Sequence, residues 1–340
     1  MNRRTFLATA AAAGSLSGGA GEAAEPRSKM GIAVTSYLSF GRPKDTYEFL
    51  EHASALGAGG IQMPLTSRER DYIRKLRARA DELGMYFEAI ASLPGKDGTA
   101  VFESTVAAAK EAGALAIRVN CLPGRRYENF TNLPDWQKAV AQSHLNIDAA
   151  LRIVESHQVP LAIENHKDWT ADEMAALMKA KASRWLGVCL DTGNNIALLD
   201  DPMAAVETLA PFAVSSHIKD MGVAAYPDGF LLSEMPLGEG MLDMRRIVDT
   251  IRRARPETRL TLEMITRDPL KVPCLTDAYW ATFPERNGLY LARALRMVHE
   301  HETRGRALPI VTGLEREAQL RLEEDNVKKS LTYARERLGL

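Results

Sequence analysis

The sequence has little cysteine and almost no net charge, and its N-terminal apolar stretch is short. Three cysteines, Cys121, Cys189 and Cys274, are too few and too scattered for a disulfide framework or a cysteine-rich zinc site. With 43 basic and 44 acidic residues, the chain lacks the positive charge that non-specific nucleic-acid binding requires. The apolar stretch ends near Leu16, well short of the roughly 20 residues of a membrane helix. A disulfide-stapled, nucleic-acid-binding or membrane-inserted protein is therefore not expected, and 46% hydrophobic residues indicate a globular enzyme or binding protein.

The first 24 residues are predicted to be an export signal. Two adjacent arginines, Arg3 and Arg4, precede Phe6-Leu7, an alanine-rich stretch and a run of small residues. This order resembles a twin-arginine signal, with cleavage after Ala20, Ala23 or Ala24. We therefore expect a periplasmic or otherwise exported protein. Such a location favours a non-phosphorylated substrate, because sugar phosphates are mostly kept inside the cell.

From residue 31 to residue 340, short β-branched-rich runs alternate with longer helical patterns. Such alternation indicates parallel βαβ units, and eight units in a chain of this size predict a single-domain α/β protein, a (β/α)₈ TIM barrel. A doubly wound open sheet is the alternative, but no Gly-x-Gly-x-x-Gly turn follows the first strand. The predicted strands cover residues 32–36, 60–63, 86–90, 116–120, 161–164, 188–191, 214–217 and 260–263.

Local signals place several helices between these strands. Residues 66–69 and 170–173 both match a capping box ahead of a helix. Residues 264–312 show no clear helix and predict a long loop after the eighth strand, of the kind that often serves binding. A final helix is predicted from Gly313 onward, either completing the ring or forming a homo-oligomer contact. A helix is also predicted where residues spaced three and four apart form one stripe that would pack on the sheet: Val140, His144, Ile147, Leu151 and Val154.

Acidic residues and a histidine end four consecutive predicted strands. Side-chain alternation points Glu164, Asp191, His217 and Glu263 into the barrel, at the carboxyl ends where barrel enzymes place reactive groups. Burying three carboxylates together without a cation is electrostatically costly. Together with one imidazole they predict a divalent cation in octahedral coordination, Mn²⁺, Co²⁺ or Mg²⁺, with Zn²⁺ as a further candidate.

Other polar residues are expected near the same mouth. His166 and Lys219 lie two residues beyond Glu164 and His217, so they face the same way if the strands continue. We predict catalytic roles for both: His166 as a proton shuttle or a hydroxyl ligand, and Lys219 as an oxyanion stabiliser or a partner of Asp220. The predicted substrate contacts are Arg118, Asn120, Asn194 and Trp169, the last stacking on a sugar or packing in the core.

Five segments carry a resemblance to a known family. They are residues 162–166 (AIENH), 188–194 (VCLDTGN), 217–220 (HIKD), 236–240 (PLGEG) and 262–263 (LE). They resemble the xylose-isomerase-like barrel superfamily, in its sugar isomerase/epimerase branch. The resemblance implies a metal tetrad on Glu164, Asp191, His217 and Glu263, with the two glutamates as acid and base. Where ketose epimerases of the family carry a further histidine and arginine, this chain has Asn194 and Val223.

These residues predict a metal-dependent reaction on a small-molecule sugar. A metal chelated by a carbonyl and a neighbouring hydroxyl acidifies the C–H bond between them and stabilises the resulting enediolate. A glutamate on each side could remove and return the proton. We therefore predict an isomerase or epimerase acting on a non-phosphorylated sugar or keto-sugar. Two alternatives stay open: a lyase or dehydratase eliminating from a keto-sugar or keto-glycoside, and a non-catalytic sugar-binding barrel.

Overall fold

The computed structural model describes residues 27–122, 124–302 and 307–340, so the predicted export signal lies outside the described residues. Eight parallel strands form one sheet in the order β10-β1-β2-β3-β4-β5-β6-β7. A bridge between Ile218 and Leu262 brings the end of β7 to β10 and leaves the barrel nearly closed. The predicted (β/α)₈ barrel is confirmed. The strands are β1 Gly31–Ala33, β2 Gly60–Pro64, β3 Tyr86–Ile90, β4 Ala114–Val119, β5 Leu161–Glu164, β6 Leu186–Asp191, β7 Ala213–His217, β8 Asp220–Tyr226, β9 Gly229–Met235, β10 Thr261–Leu262 and β11 Leu270–Val272.

Helices alternate with the barrel strands along the chain. The apolar strands are buried on both faces, as parallel sheets require, and small side chains of Ala116, Ala162 and Cys189 meet in one inner cluster. Within the described part of the chain, no helix is long and apolar enough to span a membrane. The helices are α1 Thr46–Ala55, α2 Arg70–Leu83, α3 Thr99–Glu111, α4 Arg126–Asn129, α5 Leu133–His157, α6 Ala171–Lys181, α7 Pro202–Leu209, α8 Met244–Ala254, α9 Asp277–Trp280, α10 Gly288–Glu302 and α11 Arg316–Tyr333.

One of the two predicted capping boxes is present. At the start of α6, Thr170 Oγ1 accepts from Glu173 N, and Glu173 Oε2 accepts from Thr170 N. The other prediction is wrong, because α2 begins at Arg70 with no side-chain cap. Thr66 instead bonds the hydroxyl of Thr46 at 3.0 Å and ties the β2–α2 loop to α1. The hydroxyl of Thr66 therefore bonds Thr46 of α1 and does not cap α2.

A hairpin that the sequence reading missed follows β7 directly. β8 and β9 pair antiparallel from Asp220↔Met235 to Tyr226↔Gly229, leaving a two-residue loop. Gly229 has φ +152°, and a Cβ there would lie 2.2 Å from the carbonyl oxygen of Val272, so the turn requires glycine. The Asp-Gly pair beside alternating apolar residues is a hairpin signal that could have predicted it.

Residues 264–312 contain regular structure, contrary to the predicted loop. β11 extends the hairpin into a three-stranded sheet, and α9 and α10 follow. Within α10, Ala294 and Val298 are buried, and Leu291, Leu295 and Met297 pack against the same core, so this helix carries an apolar stripe that the predicted loop overlooked. Together these elements form a small second core outside the barrel, in which Tyr279 stacks on Phe283 at 5.2 Å.

The predicted C-terminal helix is present as α11 and joins the ring, with Val327 and Leu331 in the main core. Glu324 on α11 accepts a hydrogen bond from Tyr37 Oη at 2.9 Å and lies 3.2 Å from His52 Nε2 of α1. The predicted stripe on α5 is also largely buried through Ile147 and Val154. α11 therefore packs beside β10, the turn at residues 34–37 and α1, and it holds the first and last parts of the barrel together.

Candidate metal and substrate site

Four side chains with metal-binding atoms meet at one end of the barrel. Glu164 ends β5, Asp191 ends β6, His217 ends β7 and Glu263 follows β10. All four are buried, and the ligand atoms that they offer lie within 4.8 Å of one another. The carboxyl ends of parallel barrel strands share one face, which is why residues so far apart in the sequence come together. This buried cluster could hold a metal ion.

The spacing of the cluster suits a divalent ion. His217 Nδ1 lies 3.4 Å from Glu263 Oε1, 3.6 Å from Glu164 Oε1 and 3.9 Å from Asp191 Oδ2. Ligand atoms about 2.1 Å from an octahedral ion are about 3.0 Å apart when adjacent and about 4.2 Å apart when opposite. The observed distances fall between these values. His217 Nδ1 has no hydrogen-bond partner among the described residues, so its lone pair is available to a metal.

A chain of hydrogen bonds fixes which nitrogen of His217 faces the carboxylates. Gln62 Nε2 donates to Glu88 Oε2 at 2.9 Å and to Ser215 Oγ at 3.2 Å, so the amide oxygen of Gln62 is directed to the imidazole. His217 Nε2 donates to that oxygen at 2.6 Å, so Nδ1 is the unprotonated nitrogen when the ring is neutral. Such outer contacts orient metal-binding histidines. Sequence analysis did not single out Gln62, although a buried amide within an apolar strand was a visible exception.

The two glutamates are held in matching ways. Each turns Oε1 toward His217 and pairs Oε2 with a cation: Arg118 Nη2 for Glu164 and Lys219 Nζ for Glu263. Burial opposes ionisation of Glu263, but the positive charges of the His217 ring, when it is protonated, and of Lys219 outweigh burial and hold the pKa of Glu263 well below the usual range. Each carboxylate therefore has one oxygen fixed by a cation and one directed at the centre of the cluster.

Asp191 is fixed by the loop that follows β6. Its Oδ1 accepts from the backbone N–H groups of Gly193 at 2.9 Å and Asn194 at 2.7 Å. The side chain of Asn165 bonds both the N–H and the carbonyl of Asp191 at 2.8 Å. Asp191 Oδ2 lies 2.8 Å from Lys219 Nζ. Because the backbone holds one oxygen, the other is left to face the cluster.

Lys219 lies inside the cluster rather than beside Asp220. Burial opposes its protonation, but Asp191 and Glu263 outweigh burial and raise its pKa. The predicted pairing of Lys219 with Asp220 is not made. The Asp220 carboxylate instead accepts four backbone N–H groups at 2.9 to 3.0 Å: those of Met221, Gly238, Gly240 and Leu242. A Cβ on Gly240 would lie 2.2 Å from Asp220 Oδ1, so this approach requires glycine.

His166 and Lys167 lie beyond the end of β5. His166 Nδ1 is 3.1 Å from the carbonyl oxygen of Gly124, and burial, with nearby Lys167 and Arg118, lowers its pKa to about 3. His166 is therefore neutral at neutral pH. Lys167 Nζ donates to Asn194 Oδ1, and burial together with Lys219 lowers its pKa to about 7. Lys167 was not predicted, and its charge in a buried position marks it as part of the site.

A cavity of about 860 Å³ opens beside the cluster at the ends of β2, β3 and β4. Arg118 and Asn120 line it, and so does Gly124, the partner of His166. Arg118 also contacts Glu164, so this one side chain joins the cavity to the cluster. Asn120 Oδ1 is buried and has no partner within the described residues. The cavity therefore offers space for a substrate next to the candidate metal ligands.

The other two predicted substrate contacts differ in their surroundings. Asn194 lies in the cluster, where its Nδ2 donates to Glu164 Oε1 at 3.1 Å. Trp169 is buried in the main core, edge-on to Trp136 with ring centroids 6.1 Å apart. Packing accounts for the burial of Trp169, and a sugar contact by its ring stays a prediction.

The missed hairpin also contributes to the site. Glu234 on β9 is buried, 3.9 Å from Lys219 Nζ, and Arg267 donates to both of its carboxylate oxygens. This pair closes the side of the cluster next to β10. Val223, at the position where family epimerases carry an arginine, is buried in the small second core. Without the hairpin in the predicted topology, sequence analysis had no means of placing Glu234 here.

Comparison with known proteins agrees with this architecture. A 3-oxo-isoapionate decarboxylase from Pectobacterium atrosepticum is 28% identical over 238 residues, covering 66% of this chain and 81% of the relative. A crystal structure of D-psicose 3-epimerase with D-tagatose from Clostridium cellulolyticum H10 superposes with a TM-score of 0.57 at 16% identity, covering 80% of this chain and 99% of that chain. Apo 3-keto-D-glucoside 4-epimerase from E. coli gives 0.54 at 14% identity, covering 81% and 100%. These relatives are enzymes, and the two structures share the fold.

The family assignment rests on a longer match. The profile of the xylose isomerase-like TIM barrel family matches residues 50–313, which include all four residues of the cluster. Since this match spans well over half of the chain, and the barrel that it describes is the one observed, the protein belongs to the xylose isomerase-like TIM barrel family.

Proposed function

We propose that the protein is a divalent-metal-dependent enzyme that acts on a non-phosphorylated sugar or keto-sugar as an isomerase or epimerase. The observation that carries the proposal is the matched arrangement of Glu164 and Glu263. Each directs one oxygen at the centre of the cluster and has the other paired with a cation. Two carboxylates that approach one point from different strands are suited to remove and return a proton.

Glu164, Asp191, His217 and Glu263 would hold the ion, and the free Nδ1 of His217 supports this assignment. Three oxygen donors and one nitrogen favour Mn²⁺, Co²⁺ or Mg²⁺, with Zn²⁺ as a further candidate. When bound, the ion would polarise the substrate carbonyl and neighbouring hydroxyl and so acidify the C–H bond between them.

The residues of the chain then have distinct tasks. One glutamate takes the proton from the carbon beside the carbonyl, and the electron pair moves onto the carbonyl oxygen to give an enediolate. The same glutamate or the other one returns a proton to the enediolate. The product therefore has the same composition as the substrate, and no further reactant is needed. Lys219 and Arg118 keep the carboxylates ionised between steps. Neutral His166, which contacts the cavity-lining Gly124, is suited to bind a substrate hydroxyl or to relay a proton through it.

A lyase is the second candidate. Asn194 and Val223 replace a histidine and an arginine of family epimerases, and the relative at 28% identity is named a decarboxylase. A lyase of this site would use the same enolate in one of two ways. In an elimination, loss of a proton forms the enolate and a group on the neighbouring carbon then leaves. In a decarboxylation, loss of carbon dioxide forms the enolate and a proton then adds to the carbon. The cluster serves either reaction, because both place negative charge on the same oxygen.

Incubation of keto-sugars, keto-sugar acids and oxidised glycosides with the metal-loaded protein in D₂O tests the proposal. An isomerase or epimerase incorporates deuterium beside the carbonyl and gives products of unchanged composition, both visible by NMR. Loss of carbon dioxide or of a β-substituent identifies the lyase. Absence of any exchange, with metal content equal in wild-type and Asp191→Ala protein by elemental analysis, contradicts both and indicates a sugar-binding barrel.

A further inference from the structure

We propose that the substrate carries a carboxylate group and that Arg118 receives it. This inference rests on the proposed function and narrows its substrate class from keto-sugars to keto-sugar acids. Two observations carry it independently: the balance of buried charge around the cluster, and the position of Arg118 in the wall of the cavity.

The buried charges form one ion-pair network with a simple balance. Three cations take part: Arg118, Lys219 and Arg267. Four carboxylates pair with them: Glu164, Asp191, Glu263 and Glu234. A divalent ion therefore leaves the network with an excess of one positive charge. Buried Asp220 stays outside this ion-pair network, because four backbone N–H groups hold its carboxylate.

An unbalanced buried charge is costly, so the loaded site favours a substrate with one negative charge. A carboxylate supplies one. A phosphate monoester carries about 1.5 to 2 negative charges at neutral pH and exceeds the balance. A neutral sugar leaves the excess in place. The charge of the network thus points to a monoanion.

Arg118 is placed to bind that anion. Of the described residues lining the cavity, Arg118 alone is charged, so no acidic side chain there would repel a carboxylate. Arg118 is only 8% exposed, and its Nε is buried without a hydrogen-bond partner among the described residues. Nε and Nη2 form the planar edge of the guanidinium that fits a carboxylate, and Nη2 has a second N–H besides the one that reaches Glu164. An unused donor at this position is expensive unless a ligand uses it.

Matched ligand pairs test the inference through binding. Calorimetry with the metal-loaded protein compares each keto-aldonate with the ketose that differs only at the terminal carbon, beginning with 2-keto-D-gluconate and D-fructose. We expect at least one acid to bind about 10–100-fold more tightly than its neutral partner, the range of charge-assisted hydrogen bonds. In Arg118→Gln the preference shrinks to about 3-fold or less, and Arg118→Lys, which keeps charge without the fork, falls between.

The control is Arg286→Gln, which removes an arginine whose largely covered side chain pairs with Asp200 outside the cavity. This variant should keep the full preference. Equal binding within every pair overturns the inference, as does tighter binding of a sugar phosphate or no binding by any acid. If ketoses exchange deuterium while the acids bind no better, the proposed function stands and only the carboxylate fails. Thermal melting of Arg118→Gln verifies that the variant is folded.

Discussion

Gln62 holds the His217 imidazole through a single hydrogen bond of 2.6 Å. Gln62→Leu removes the acceptor, so the ring gains freedom to rotate and to protonate Nδ1. We expect metal affinity to fall about 10–100-fold, as for other lost contacts behind metal-binding histidines. Competition with a chromogenic chelator measures it. Gln142→Leu, on the exposed face of α5, serves as the control, and unchanged affinity in Gln62→Leu would show that other contacts hold the ring.

Replacing Glu164 or Glu263 by glutamine is expected to reduce turnover without loss of metal, whereas Asp191→Ala is expected to reduce metal content. Glu→Gln at either position keeps size and one oxygen ligand but removes the base, so turnover should fall about 10²-fold or more while metal stays bound. Steady-state rates together with elemental analysis separate these effects, with exposed Glu207→Gln as the control. Retained turnover in both variants, with metal bound, would move proton transfer to His166 or Lys219.

The four residues of the cluster could be predicted because one rule, the carboxyl ends of barrel strands, fixes their height and side. Their partners could not. Gln62 and Glu88 are polar residues inside otherwise apolar strands, and nothing in the local sequence shows that they bond across the barrel to His217 and Ser215. Long-range pairing of buried polar groups depends on the assembled barrel, which sequence patterns alone do not supply.

At the scale of whole elements, the contact of α11 with α1 should depend on pH. A hydrogen bond from His52, opposed by burial and aided by one from Tyr37, lowers the pKa of Glu324 to about 2 from 4.5. The unfolded chain therefore takes up a proton at higher pH than the folded protein. The ionised carboxylate contributes stability above about pH 4.5, and this contribution is lost as the pH falls toward 2.

Urea unfolding of wild-type protein and Glu324→Gln between pH 3 and pH 6 measures this dependence. We expect the wild type to be more stable at pH 6 and the difference to narrow steadily below pH 4.5. Subtracting the two curves cancels the other carboxyls, including neighbouring Glu323, whose pKa burial raises. A difference that stays constant across this range would show that the ion pair does not anchor α11.

The elements of the barrel itself were predicted, and those of the small second core were not. The alternation of short apolar runs with helical patterns predicts the barrel strands, and it carries no information about elements added outside the barrel. β8 and β9 lie in the connection between β7 and α8, where the predicted barrel has a loop and no strands. The Thr66 capping prediction failed because Thr46 and Tyr72 competed for the hydroxyl.

For the molecule as a whole, we propose export through the twin-arginine route. Arg3 and Arg4 precede a short apolar stretch and small residues, the order typical of such signals. Replacing both arginines by lysine keeps the charge but should strongly reduce the amount of mature protein in the periplasm. Cell fractionation with immunoblotting measures it. Normal periplasmic levels in the Lys-Lys variant would contradict this route, and cytoplasmic accumulation would support it.

The Asp220 carboxylate, which gathers four backbone N–H groups between residues 221 and 242, also has a consequence for local opening. Segments that share their hydrogen bonds open cooperatively, and here one side chain joins the first strand of the hairpin to the turn that leads into α8. The amide protons of Met221, Gly238, Gly240 and Leu242 should therefore show one common free energy of opening in hydrogen exchange. The wall of the cluster that carries Lys219 and Glu234 would then open as a unit or stay closed.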